Sequence, residues 1–162
     1  MNNKPDKLAS ELVTCMKSLA ELGLNPGRAG NASVRVDAER FLITPSGVHP
    51  RDLTDYQVVT LSLADEHAPA DSIPSSEWRM HRDVLVADKS IKAVVHTHSS
   101  AATAVACLGL PLPAFHYMIA VAGGDSIECA PYATFGSQLL SEHVVSALTG
   151  RRACLMENHG LI

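Results

Sequence analysis

Over the first 22 residues the apolar side chains Leu8, Leu12, Cys15, Met16, Leu19 and Leu22 recur at intervals of three and four. That spacing is one stripe of an amphipathic helix from Pro5 to Leu22, and Gly23 follows where a helix end favours a glycine. The period then shortens. Ala32 to Val36 and Phe41 to Thr44 are β-prone runs separated by Asp37-Ala38-Glu39, which predicts a hairpin, and Gln57 to Leu63 reads as another strand. Thr44-Pro45-Ser46-Gly47 has turn chemistry, and the polar run Ala64 to Ser72 reads as a loop. Pro74-Ser75-Ser76-Glu77 opens a helix to about Ala87, with a serine N-cap and an acid in the first turn. Ile91 to His98 is a buried strand running into polar residues, followed by a small-residue helix from about Ser100 to Cys107. Ser126 to Ala130, Gly136 to Leu148 and Ala153 to Met156 read as strand, helix and strand. Helices and strands mixed in this way predict a layered α/β (α+β) domain built around one sheet.

Length and composition narrow the class. At 162 residues the chain suits one domain, and 46% hydrophobic with 19% charged residues excludes global disorder. Thirteen Lys and Arg against seventeen Asp and Glu leave a net charge of −4, so no large positive field invites nucleic acid or an anionic membrane. The N-terminus carries no apolar signal core, and the longest apolar stretch, Ala101 to Phe115, is broken by Gly109, Pro111 and Pro113. Cys15, Cys107, Cys129 and Cys154 form no Cys-x-x-Cys pair. Free thiols in a reducing compartment explain them, and a cytoplasmic protein is expected. Eight histidines are the compositional oddity, because imidazole both ligates metals and moves protons near neutral pH.

His96 and His98 are two apart at the end of an apolar strand, so their side chains project from one face and can share a metal. Two surface histidines at a strand end are the bland alternative. His159, after the apolar run Ala153 to Met156, supplies a third imidazole; alone it reads more readily as a capping or packing histidine. Three neutral imidazoles would leave a divalent ion an open coordination position, the mark of a catalytic site. Glu77, at the head of a helix, either neutralises the helix dipole or, beside a metal, ligates it or moves a proton. Gly27-Arg28-Ala29-Gly30-Asn31-Ala32-Ser33, Thr44-Pro45-Ser46-Gly47 and Ser75-Ser76 each offer groups suited to phosphate, although each alone is an ordinary turn or cap. Neither a Gly-x-Gly dinucleotide fingerprint nor a Gly-Lys-Ser/Thr phosphate loop occurs.

Gly30-Asn31-Ala32-Ser33, Thr44-Pro45-Ser46-Gly47, Pro74-Ser75-Ser76-Glu77-Trp78, His96-Thr97-His98 and Asn158-His159-Gly160, in this order, resemble the class II aldolase/adducin family. Ser75 to His81, His116 to Ala120 and Cys129 to Gly136 look most like its L-fuculose-1-phosphate branch. The resemblance implies a single domain with a central, mostly antiparallel sheet flanked by helices. It also implies a zinc enzyme (another divalent metal being the alternative), usually a C4 homotetramer with sites at subunit interfaces. Such enzymes cleave a ketose 1-phosphate to dihydroxyacetone phosphate and an aldehyde such as L-lactaldehyde. By position, His96, His98 and His159 are the implied metal ligands, and Glu77 the acid/base that also ligates the empty metal. Asn31, Ser46, Gly47, Ser75 and Ser76 fall on phosphate-binding positions. Tyr117 falls on a tyrosine that reaches a neighbouring subunit's site and protonates the aldehyde oxygen.

Two departures qualify the resemblance. Arg28 stands where the branch carries a small hydroxyl residue, and it strengthens phosphate binding, alters the pocket's shape or is a solvated loop arginine. The sequence stops three residues after His159, whereas relatives continue into C-terminal helices, so residues 1–162 are expected to be the family domain without them. Competing functions are a sugar-phosphate epimerase or dehydratase on the same metal site, and an adducin-like assembly domain without catalysis. The intact histidines and Glu77 argue against the last, and Glu77-Trp78 with Tyr117 favours aldolase.

Overall fold

The computed structural model describes residues 4–162. Helix α1 (Lys4–Glu21) leads into the hairpin β1 (Asn31–Arg35) and β2 (Arg40–Ile43), then β3 (Val59–Ser62), α2 (Trp78–Ala87), β4 (Ala93–His96) and α3 (Ser100–Ala106). A 3₁₀ segment, Tyr117–Ala122, precedes β5 (Cys129–Ala130), α4 (Gln138–Ala147), β6 (Leu155–Met156) and β7 (Gly160–Leu161). The first four strands form an antiparallel sheet in the order β3-β2-β1-β4. The last three form a second sheet in the order β5-β6-β7, with β5 and β6 parallel. A bridge between Thr97 and Leu161 ties β4's end to β7. The expected single sheet is therefore two sheets joined at the segment that carries the histidines.

Alternation along the strands makes the layers. In β2, Phe41 and Ile43 enter a core with Trp78, Leu85, Leu140 and Val144 from α2 and α4, while Leu42 enters a second core with Leu12, Val13 and Met16 of α1. Both faces of the sheet are thus covered, and each fully buried leucine such as Leu85 contributes roughly 1.5–3 kcal/mol of transfer free energy. The buried stripe of α1 includes Ala9 and Val13 rather than Leu22, which is exposed beyond the helix end. Strand β4 is shorter than its apolar run, because only Ala93–His96 pairs with β1. It is also half-exposed rather than buried: Ala93 and Val95 face out, Val94 and His96 in. Strand β7 and the 3₁₀ segment had no apolar periodicity to announce them. No helix among the described residues is long and apolar enough to cross a membrane.

Candidate active site

The predicted strand-end geometry brings His96, His98 and His159 together, with ligand atoms all within 4.8 Å of one another. The ring centroids of the three pairs lie 4.6, 4.9 and 5.0 Å apart. His96 projects inward from the end of β4, His98 follows two residues on, and His159 sits in the β6–β7 turn beside Asn158, whose φ of 54° is left-handed. Gly160 permits the close approach of that turn: a Cβ there would stand 2.5 Å from the Thr97 carbonyl oxygen and 3.3 Å from His96 Cε1.

The hydrogen bonds fix how the rings present themselves. His96 Nδ1–H donates to the Leu161 carbonyl at 2.9 Å, leaving Nε2 with its lone pair. That nitrogen lies 2.8 Å from His98 Nε2. The backbone N–H of His98 donates to Asn25 Oδ1 at 3.1 Å, so a buried asparagine from the loop after α1 anchors the second histidine. Burial, followed by repulsion from His159 and His98, pushes the His96 pKa down to about 3, and burial also lowers that of His98. His96 is therefore neutral at neutral pH, as a metal ligand must be.

Glu77 completes the cluster. It is the N-cap of α2, and its side chain makes no cap hydrogen bond. The serine cap read from the sequence is not what forms: Ser75 Oγ accepts from the Glu77 N–H at 3.3 Å, and the carboxylate turns into the site. Its Oε2 lies 3.3 Å from His96 Nε2 and its Oε1 3.3 Å from His159 Nε2. Because His96 is neutral, the first of these contacts is not an ion pair. Glu77 Oε1 is buried with no hydrogen-bond partner among the described residues. A buried carboxylate oxygen without a donor, facing imidazole nitrogens that crowd one point, fits a divalent cation.

A cavity of about 360 Å³ opens beside the cluster, lined by Glu77, His98 and His159 at one end and by Arg28, Ser46, Gly47, Ser75 and Ser76 elsewhere. The two hydroxyl-rich turns are zipped together by Ser46 N–H to the Ile73 carbonyl at 3.1 Å and Ser75 N–H to the Thr44 carbonyl at 2.9 Å. Asn31 also lines the cavity, but its side-chain amide is committed to Glu77 Oε2 and to His81. Tyr117 does not line it; the residue is 80% exposed, its ring against that of His116. Asn25, Ser33 and His81 were not singled out as site residues from the sequence, because their roles depend on partners 48 or more residues away.

Three imidazoles and a carboxylate beside a polar cavity form a cluster suited to a divalent metal on a layered α/β domain. Residues 10–162 match the family of class II aldolase and adducin N-terminal domains, and the chain belongs to that family. It is 47% identical over 151 residues, 93% of this chain and 67% of the relative, to the 5-methylthioribulose-1-phosphate/5-deoxyribulose-1-phosphate aldolase of Rhodospirillum rubrum. It is likewise 47% identical over 157 residues to the L-fuculose phosphate aldolase of Escherichia coli strain CFT073, covering 97% of this chain and 72% of that one. A solved structure of an L-fuculose 1-phosphate aldolase superposes with a TM-score of 0.89 at 38% identity, over 96% of this chain and 73% of the other. The protein is thus a class II aldolase, a family that implies a divalent metal.

Proposed function

We propose that the protein is a zinc-dependent, cytoplasmic sugar-phosphate aldolase that cleaves a ketose 1-phosphate to dihydroxyacetone phosphate and an aldehyde. The observation that carries this reading is the meeting of Glu77 with His96, His98 and His159 beside a cavity whose lining includes Ser46, Gly47, Ser75, Ser76 and Arg28. His96, His98 and His159 would hold the ion, with Glu77 as a further ligand when no substrate is present. When bound, the metal supplies Lewis acidity to the oxygens of the cleaving carbon chain.

The other roles belong to the chain itself. The paired turns and Arg28 hold the phosphate, and Asn31 keeps its place at the cavity wall while its amide engages Glu77. Carbon–carbon cleavage leaves an electron pair on C3 of the three-carbon product, and Glu77 delivers the proton there; in condensation it removes that proton. Tyr117 of an adjacent copy exchanges the proton at the C4 oxygen. Its exposure, in a band with Phe115, Met118 and Val121, suits a surface covered by a second subunit of a homotetramer. Free cysteines accord with a reducing cytoplasm.

Two substrate types are favoured equally by identity: L-fuculose 1-phosphate, with L-lactaldehyde as second product, and the 5-methylthioribulose or 5-deoxyribulose 1-phosphates. Both give dihydroxyacetone phosphate, which separates the reading from epimerase or dehydratase chemistry, where the carbon skeleton stays whole. The test is product analysis with each sugar, together with exchange of the C3 hydrogen of dihydroxyacetone phosphate into deuterated water. Glu77→Gln should retain metal and lose roughly 10²–10⁴-fold in exchange. Wild-type protein that neither splits either sugar nor catalyses exchange overturns the reading.

A further inference from the structure

Behind Glu77 lies one continuous chain of buried hydrogen bonds. Asn31 and Ser33 are two apart on β1 and face the same side, while Glu77 and His81 are four apart and stack on one face at the head of α2. Ser33 Oγ is 2.8 Å from His81 Nδ1, His81 Nε2 is 2.5 Å from Asn31 Oδ1, and Asn31 Nδ2 donates to Glu77 Oε2 at 2.9 Å. Ser33 and His81 are fully buried, and Asn31 is only 6% exposed.

The polarity of this chain follows from its end. A carboxylate only accepts, so the amide nitrogen of Asn31 must face Glu77 and its oxygen must face His81. The oxygen then requires a hydrogen on His81 Nε2. Burial holds this imidazole neutral, so Nδ1 carries the lone pair and takes the Ser33 hydroxyl hydrogen. Every donor in the row points toward the carboxylate, which concentrates the hydrogen bonding at Oε2 and leaves Oε1, 3.3 Å from His159 Nε2, with no hydrogen bond among the described residues. Apolar side chains would fill the same volume at less desolvation cost, so packing does not account for three satisfied polar groups in series.

We infer that Ser33, His81 and Asn31 are positioning residues that clamp Glu77 by Oε2 and reserve Oε1 as the oxygen that carries the C3 proton. The inference rests on the acid/base reading of Glu77. His81 touches neither the cavity nor the cluster atoms directly; it acts by fixing the amide of Asn31.

The test uses the full-length, zinc-loaded protein. Long-range nitrogen–proton NMR with ¹⁵N-labelled histidine should find His81 as the Nε2–H tautomer, and an Nδ1–H tautomer or an imidazolium overturns the inference without any variant. His81→Leu should slow C3 exchange by roughly 10–100-fold, the scale of a misplaced catalytic group, with KM for dihydroxyacetone phosphate and zinc content unchanged. His81→Gln, whose side-chain N–H can donate to Asn31, should recover most of that rate. Equal loss in both His81 variants, or a loss of zinc matching the loss of rate, overturns it. Where His81→Leu does not fold, Ser33→Ala takes its place: it leaves His81 Nδ1 without its donor, and exchange at the wild-type rate counts against the chain. Glu77→Gln separates the two ideas. If that variant exchanges normally, the acid/base reading has failed; if it is inactive while folded His81→Leu exchanges at the wild-type rate, only the clamp has failed.

Discussion

A methyl group added at Gly30 should damage a histidine it never touches. Gly30 has φ +78°, and a Cβ built there would stand 2.4 Å from both Oδ1 and Nδ2 of Asn25. Asn25 is 3% exposed, and its Oδ1 accepts the backbone N–H of His98. Gly30→Ala must therefore displace the asparagine that anchors a proposed metal ligand. Gly27 provides the control, because it is also left-handed, at φ +63°, but among the described residues nothing lies within 4 Å of its Cβ position. Both alanines carry the left-handed cost of about 1–2 kcal/mol, offset by about 0.4–1 kcal/mol through the stiffer unfolded chain. Only Gly30→Ala adds the loss of a hydrogen bond to a partly buried N–H, about 1–3 kcal/mol. Gly27→Ala should then destabilise by about 0–1.6 kcal/mol, and Gly30→Ala by roughly 1–4.6 kcal/mol. Urea unfolding of the metal-free proteins measures the first difference, and a competition titration of zinc against a chromophoric chelator measures the second. Only Gly30→Ala should bind zinc more weakly. Variants indistinguishable in both measurements would refute the proposed anchoring of His98 through Asn25.

His98→Ala should lower zinc from about one ion per chain to well below that by elemental analysis, and unchanged content would remove His98 from the ligand set. Individually inactive His98→Ala and Tyr117→Phe proteins should regain partial activity when mixed and reassembled, since some sites then join an intact cluster to an intact neighbouring tyrosine; mixtures no better than their parents would place Tyr117 outside an adjacent site. Cys154 is fully buried, with its thiol pushed up to about 12 chiefly by burial, so it stays protonated at neutral pH and unreactive. Iodoacetamide should label exposed Cys107 well before Cys154 in peptide mass mapping, and equal rates would mean that the core opens on the labelling timescale.

The parts of the site legible in the sequence were those that local periodicity controls. Residues two apart on a strand share a face whatever the strand pairs with, so His96 and His98 were readable as a pair before their neighbours were known. The hairpin of β1 and β2 and the three longest helices were equally local. His159 needed more, since its approach depends on a two-residue strand, β7, too short to leave a pattern. Glu77 reversed its simplest reading: it occupies the cap position of α2, but its carboxylate turns inward to accept from Asn31 Nδ2 and to face the histidines. Asn31 was assigned to phosphate by its place in a motif, and it does line the cavity; that its amide also meets Glu77 and His81 depends on the packing of α2 beside β1, which no local pattern shows. Asn25, Ser33 and His81 stayed unassigned for the same reason: an isolated polar residue shows no periodicity, and its partner is specified by tertiary packing.

The pairing of β4's end with β7 also sets a timetable. His96 is held by a carbonyl 65 residues further along the chain, and that carbonyl arrives only when Leu161 zips onto Thr97. Closing a loop of that length is entropically slow compared with forming the β1–β2 hairpin or α1. During synthesis the first four strands can pair while the turn bearing His159 is still inside the ribosome, so a nascent chain offers a scavenging ion two loosely held imidazoles at most. Tight capture of the metal should therefore be a late event that coincides with completion of the fold, which makes metal uptake a natural reporter of finished molecules rather than a nucleus from which they grow.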